Sequence, residues 1–375
     1  MPVPEEAVQL KAKRVLVPEK NKVILDEIEI PDHPSSEQVT IKTEYSFISA
    51  GTELAAYTAL TPSVYQPGAW NAYPWASGYS NVGRITAVGK DVDGFAEGDR
   101  VFCFGKHQSI HHVHPFGEIE AENKADSILA KVPDGLAPDI AASCRMALVA
   151  MSAVCRTKIQ INDNVAVWGL GMVGNLACQL YSVAGCRVIG IDPISSRRQK
   201  ALEVGVDAVL DSTKEEVLNS LTELTADSSF IPSTHVNPGT SSGHGIDIAV
   251  DAVGEAALLE QACLAVKPNG QVISLGSPRR DYHTNTIEVS RRIHFDEIKL
   301  GGGLEWGIPR LPISGVPYST LENLQKVFDL ATRGKIHLSP LISHRISPSE
   351  IESAYQGLLD DKDIYTGVAL DWSKI

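Results

Sequence analysis

The densest chemical signal lies at residues 165–180, VAVWGLGMVGNLACQL, where an apolar run meets Gly169, Gly171 and Gly174 and continues into a helix-like segment. GxGxxG spacing is weak evidence alone, but between a strand and a helix each glycine has its own task. Gly169 permits the tight turn, Gly171 lets backbone approach a pyrophosphate, and Gly174 lets the helix pack close to the strand. Met172 and Val173 open that helix, whose free N–H groups and positive dipole end suit phosphate. Asp192 closes the next apolar run, CRVIGID, at the spacing of an acid that accepts hydrogen bonds from an adenosine ribose. A carboxylate there repels the extra phosphate of NADP, so NAD(H) is the expected cofactor. Arg197 and Arg198 pull the other way, because guanidinium groups bind phosphate, yet they suit an adenine edge or a helix surface equally well.

Positioning these residues takes an alternation of strands and helices. After residue 160, NVAVWGLG, CRVIGID, DAVLDS, GIDIAVDAV and GQVISLG are spaced by helix-like stretches such as NLACQLYSVAG and SRRQKALEVG. That order implies right-handed crossovers and a doubly wound parallel sheet, an α/β fold of Rossmann type. From about 12 to 130 the texture differs. Short runs, among them KVILDEIEI, QVTIKTEYSFIS and DRVFCF, are broken by Pro, Gly and Asp, as in an antiparallel β domain. Much of the polar stretch 219–245 reads as a surface loop inserted before the strand GIDIAVDAV. Beyond about 300 the chain turns irregular, then gives an amphipathic helix at STLENLQKVFDLATRGK and a strand-like GVALDW, a tail expected to pack back on the first domain.

The chain of 375 residues, 43% hydrophobic and 21% charged, is long enough for two domains with large cores. A net charge of -13 disfavours nucleic acid and anionic membrane, which both need a basic face, and leaves a small molecule as the expected partner. The N-terminus is charged throughout, and the expected location is the cytoplasm. Six cysteines, at 103, 144, 155, 178, 186 and 263, form no CxxC pair and read as reduced thiols.

A β-rich first part, a GxGxxG domain in the second half and a returning tail together resemble the medium-chain dehydrogenase/reductase family, of zinc-type alcohol and sorbitol dehydrogenase kind, over essentially the whole chain. SAGTELAAY, SGYSNVG and GKDVDGFAEGDRV are similar to the family's ligand-bearing segments, and DIAVDAVG and GQVISLG to the strands whose ends line the nicotinamide. The resemblance implies a GroES-like catalytic domain at 1–155, a cofactor domain at 156–300 and a C-terminal return at 301–375. It adds Val253, Leu275 and Gly276 to the cofactor residues, and implies a homodimer or higher homo-oligomer.

Against the family's zinc ligands this sequence sets Ala50, Tyr79, Ser80 and Arg145, none of which binds zinc as the family does. No metal is therefore expected. The combination resembles a zinc-lacking branch that includes bacteriochlorophyllide dehydrogenase-like proteins. Hydride transfer at a carbinol carbon still needs charge stabilisation on oxygen and a proton route. Tyr79 is the expected donor to that oxygen, Thr52 the proton relay, Arg145 the fixed charge, and Glu53 a partner orienting Arg145 through a bidentate pair. The blander alternative has Tyr79 filling the vacated cavity and Arg145 with Glu53 as a structural ion pair.

In GKHQSIHHVHP, strand alternation sends His111 and His112 to opposite faces, so the four histidines do not converge on a metal; His107 is a candidate for substrate binding or proton relay. Tyr65, Trp70, Tyr73, Trp75 and Trp306 are candidate walls of a substrate pocket. The leading expectation is a zinc-independent, NAD(H)-linked oxidoreductase interconverting a secondary alcohol (a polyol, sugar derivative or cyclic alcohol) and a ketone. A quinone or enoyl reductase and a non-catalytic NAD(H)-binding protein are the alternatives.

Overall fold

The computed structural model describes residues 9–115, 128–213, 216–225 and 245–375. In the second half, six parallel strands lie in the order Ala208–Leu210, Arg187–Ile191, Asn164–Trp168, Ile246–Asp251, Val266–Ser274 and Lys299–Gly302. Asn164–Trp168 is almost wholly buried, as a central strand covered on both faces must be. The strand order reverses beside it, which opens a crevice at the carboxyl ends of the strands.

The first half builds a seven-stranded sheet around Val39–Phe47 and Asn81–Val88, with a three-stranded sheet of Lys22–Pro31, Gln9–Glu19 and Trp75–Ala76 beside it. The last strand, Gly367–Asp371, pairs antiparallel with Val39–Phe47, Ala369 opposite Phe47, so the tail closes on the first half. The helix Pro138–Cys155 joins the two halves. It is long and apolar enough to span a bilayer, but most of it is buried, which makes it a core helix.

One segment departs from the sequence reading. Residues 219–225 belong to a helix, Val217–Thr225, whose Val217 and Leu221 insert into the core beneath the parallel sheet. Apolar residues four apart outweighed the turn-like Ser and Thr content. The remainder of the expected loop, 226–244, lies outside the described residues.

Candidate active site

The glycine turn is shaped by close approach. Gly169 has φ +89°, and a Cβ there would stand 2.5 Å from the Val253 side chain. A Cβ on Gly174 would lie 1.7 Å from the Gly169 carbonyl oxygen, so the helix Met172–Val183 seats on the strand only with glycine at that position. Gly171, at that helix's N-cap, instead faces open space with Arg197 Nη1 at 3.8 Å. Room above bare backbone at a helix start is what a pyrophosphate needs.

Asp192 stands behind this turn. One carboxylate oxygen accepts from Leu170 N at 2.7 Å and the other from Ile194 N at 2.8 Å, so the side chain ties the glycine turn to the next strand end. The two arginines diverge. Arg197 lines the cleft, 3.7 Å from Asp192, with a buried Nε that has no partner among the described residues. Arg198 turns away, donating to the Asp192 carbonyl and to the Asp211 carboxylate. Val253, Leu275 and Gly276 complete this side of the cleft. The residues present therefore fit a dinucleotide.

Across a cavity of about 260 Å³, the wall is formed by Ser49, Thr52, Tyr79, Arg145 and Trp306. Tyr79 leaves a positive-φ glycine, Gly78, at φ +94°, where a Cβ would meet the His107 backbone nitrogen at 2.5 Å. The Tyr79 hydroxyl is in hydrogen-bond contact with Ser49 Oγ and donates to Thr52 Oγ1 at 3.3 Å. Burial pushes the phenol's pKa up, and the Arg145 charge pulls partly against it.

Arg145 projects from the helix Pro138–Cys155 and is 1% exposed. Its guanidinium carbon lies 4.9 Å from the Tyr79 ring centre, 4.5 Å from that of Phe104 and 5.2 Å from that of Trp306. Nη2 donates to Glu305 Oε2 at 2.8 Å, whereas Nε and Nη1 are buried without a partner among the described residues. Two unpaired donors in an aromatic cage are costly unless an incoming acceptor completes them.

The same wall does not suit zinc. Ala50 offers no donor, Ser80 Oγ is committed to the Ala142 carbonyl at 2.5 Å, and Arg145 is a cation. Cys144 is fully buried, its thiol pKa pushed up by desolvation. No group of three metal-binding side chains occurs among the described residues.

Three expectations are corrected here. Glu53 does not pair with Arg145. Fully buried at the start of the helix Ala50–Tyr57, it accepts from Ser49 N and from Tyr355 Oη, each at 2.7 Å, and meets His107 Nε2 at 3.0 Å. Its carboxyl pKa is opposed by burial but held low by His107 and these donors. His107 is likewise 0% exposed, its Nδ1 2.8 Å from Ser46 Oγ, so it supports the floor and does not reach the cleft. Of the five aromatics, Trp306 alone lines the cleft. Tyr65 and Trp70 are exposed and pack edge-on against Tyr73 and Trp75, Trp75 being buried and Tyr73 bonding the Ala56 carbonyl.

The histidines do not converge. His111 Nε2 meets Asn81 Nδ2 at 3.0 Å in the interior, while His112 bonds Thr40 and the Pro31 carbonyl on the other face. Sequence reasoning missed Ser49, Phe104, Glu305 and Arg279, all of which touch the cleft or the caged guanidinium. Glu305 had one signal, its place beside Trp306 in GGGLEWG.

The family models for an alcohol dehydrogenase GroES-like domain and for zinc-binding dehydrogenase match residues 35–121 and 172–305. An (R,R)-butanediol dehydrogenase of Bacillus subtilis is 25% identical over 238 residues, covering 58% of this chain and 64% of the relative, just under two thirds of its length. A sorbitol dehydrogenase of Halalkalibacterium halodurans is 23% identical over 350 residues, 87% of this chain and 89% of that protein. Among solved structures, ECK1772 of Escherichia coli, an oxidoreductase of unknown specificity, superposes with a TM-score of 0.77 at 17% identity, over 96% of this chain and 99% of that one.

Proposed function

Because the chain belongs to the medium-chain dehydrogenase/reductase family of oxidoreductases, we propose that its cleft interconverts a secondary alcohol and a ketone with NAD(H) and without zinc. The carrying observation is that a caged guanidinium with two nitrogens unpartnered among the described residues, beside a phenol, shares one cavity with the glycine turn. The alcohol dehydrogenase relatives, one of them acting on sorbitol, favour a polyol, a sugar derivative or a cyclic alcohol as substrate.

The backbone at Gly171 and the strand ends at Val253 and Gly276 would hold a nicotinamide dinucleotide, which would supply or accept the hydride. Tyr79 and Arg145 do the work on oxygen. A ketone oxygen accepts from the Tyr79 hydroxyl, and the Arg145 charge, 4.9 Å from the Tyr79 ring centre, stabilises the negative charge that grows during reduction. With its pKa raised, Tyr79 is a neutral donor at neutral pH, and Ser49 or Thr52 re-supplies its proton. Glu305 keeps Arg145 from swinging into the cavity. NAD(H) is preferred over NADP(H) because the Asp192 carboxylate lies next to Arg197 and offsets the charge that would draw a 2′-phosphate.

Quenching of the five tryptophans by NADH and by NADPH tests the cofactor choice, NADH being expected to bind more tightly. Tyr79→Phe is expected to bind NADH normally and lose turnover by about 10²–10³, the usual cost of one oxyanion donor. Tighter NADPH binding, or full turnover in Tyr79→Phe, refutes the respective half of this reading.

A further inference from the structure

The cleft contains a cation for which hydride transfer has no task. Arg279 follows the strand Val266–Ser274 through Gly276 and Ser277, lines the cavity half-buried, and has no hydrogen-bond or ion-pair partner among the described residues. Its neighbour Arg280 turns outward to Glu255 at 3.3 Å. A guanidinium withdrawn from water without a counter-ion is unfavourable. Burial accordingly lowers the Arg279 pKa from the arginine norm, with the Tyr79 phenol within its electrostatic reach.

The other charges of the cleft are accounted for. Arg145 is paired with Glu305 at 2.8 Å, and Arg197 stands 3.7 Å from Asp192 beside Gly171, on the phosphate side. Arg279 lies just past Gly276, the strand end given to the nicotinamide, and not at the glycine turn that receives the pyrophosphate. Two carboxylates, Glu305 in the lining and Asp192 behind the glycine turn, thus stand against three guanidiniums, Arg145, Arg197 and Arg279, and leave one positive charge over. On a chain of net charge -13, this local positive excess focuses an anion into the cavity.

We propose that Arg279 is the receptor for an anionic group of the substrate, a carboxylate or a phosphate, carried by the same molecule whose hydroxyl or carbonyl oxygen meets Tyr79 and Arg145. This rests on the dehydrogenase reading of the cleft and narrows it. The substrate class becomes a hydroxy or oxo acid, a sugar acid, or a phosphorylated polyol, with a guanidinium for each end.

The test titrates the NADH-saturated protein with sodium acetate, and separately with sodium phosphate, at constant ionic strength held with chloride, following nicotinamide fluorescence. Saturable binding of at least one anion is expected, weakened about tenfold to hundredfold in Arg279→Gln while NADH affinity is unchanged. Preference for acetate assigns a carboxylate, and preference for phosphate a phosphomonoester. No saturable binding of either anion, or equal constants in Arg279→Gln, overturns the proposal. Failure of NADH itself to bind sinks the dehydrogenase reading instead. The same titration on the free protein, read by thermal denaturation as the difference between wild type and Arg279→Gln, then still decides the anion site.

Discussion

Replacing Arg145 by methionine tests whether the caged ion pair is built as described. Arg145 and Glu305 are 1% and 5% exposed and 2.8 Å apart, so removing the cation strands a carboxylate away from water. Breaking a buried pair from one side costs about 3–5 kcal/mol. The upper end is expected, because the guanidinium also gives up three ring contacts, each worth about 0.5–2 kcal/mol. Adding Glu305→Gln removes the stranded charge, and the methionine sulfur can pack against the rings of Tyr79, Phe104 and Trp306. The double variant should therefore lie within about 2 kcal/mol of wild type, more stable than Arg145→Met alone. Urea unfolding of the wild type, both single variants and the double, followed by tryptophan fluorescence, gives the coupling energy. Arg145→Met within about 1 kcal/mol of wild type, or simple additivity of the two changes, refutes the ion-pair account.

Two further outcomes follow from the geometry. Gly174→Ala places a methyl 1.7 Å from the Gly169 carbonyl oxygen, so the helix must move off the strand; NADH affinity should fall at least about tenfold, or about 1.4 kcal/mol, by fluorescence titration. An unchanged dissociation constant contradicts the proposed cradle. Burial lowers the His111 pKa from 6.5 to about 4. The folded pKa lies below the unfolded one, so the unfolded chain takes up the proton first, and stability present above about pH 6.5 is lost as pH falls towards 4. At about 1.36 kcal/mol per pH unit the loss attributable to His111 is about 3 kcal/mol. His111→Gln should flatten that part of a stability-against-pH curve, and an unaltered slope would show that another group titrates there.

Much of the frame was legible because its signals are local. Gly169, Gly171 and Gly174 sit within six residues, and the run Val165–Trp168 declares its burial by unbroken apolar character. The structure places Thr52, Tyr79 and Arg145 in the lining of one cavity. Partner choice was not legible. Glu53 and Glu305 are equally plausible counter-ions to Arg145 on paper, and only folding decides that Glu305, 160 residues away, reaches it. Glu53 is instead consumed by Ser49, His107 and Tyr355, the last 302 residues distant. Arg279 likewise reads as an ordinary loop residue until the strand end carries it to the cleft. Helix Val217–Thr225 escaped because the Asn, Ser and Thr between its apolar positions 217, 218, 221 and 224 read as turn residues.

The central claim, that a phenol and a caged guanidinium stand in for a metal, is tested most directly by elemental analysis of protein purified from zinc-supplemented cells. No stoichiometric zinc is predicted, since Ala50, Tyr79, Ser80 and Arg145 supply no ligand set. One zinc per chain, lost together with NADH-linked turnover on chelation, would contradict the account.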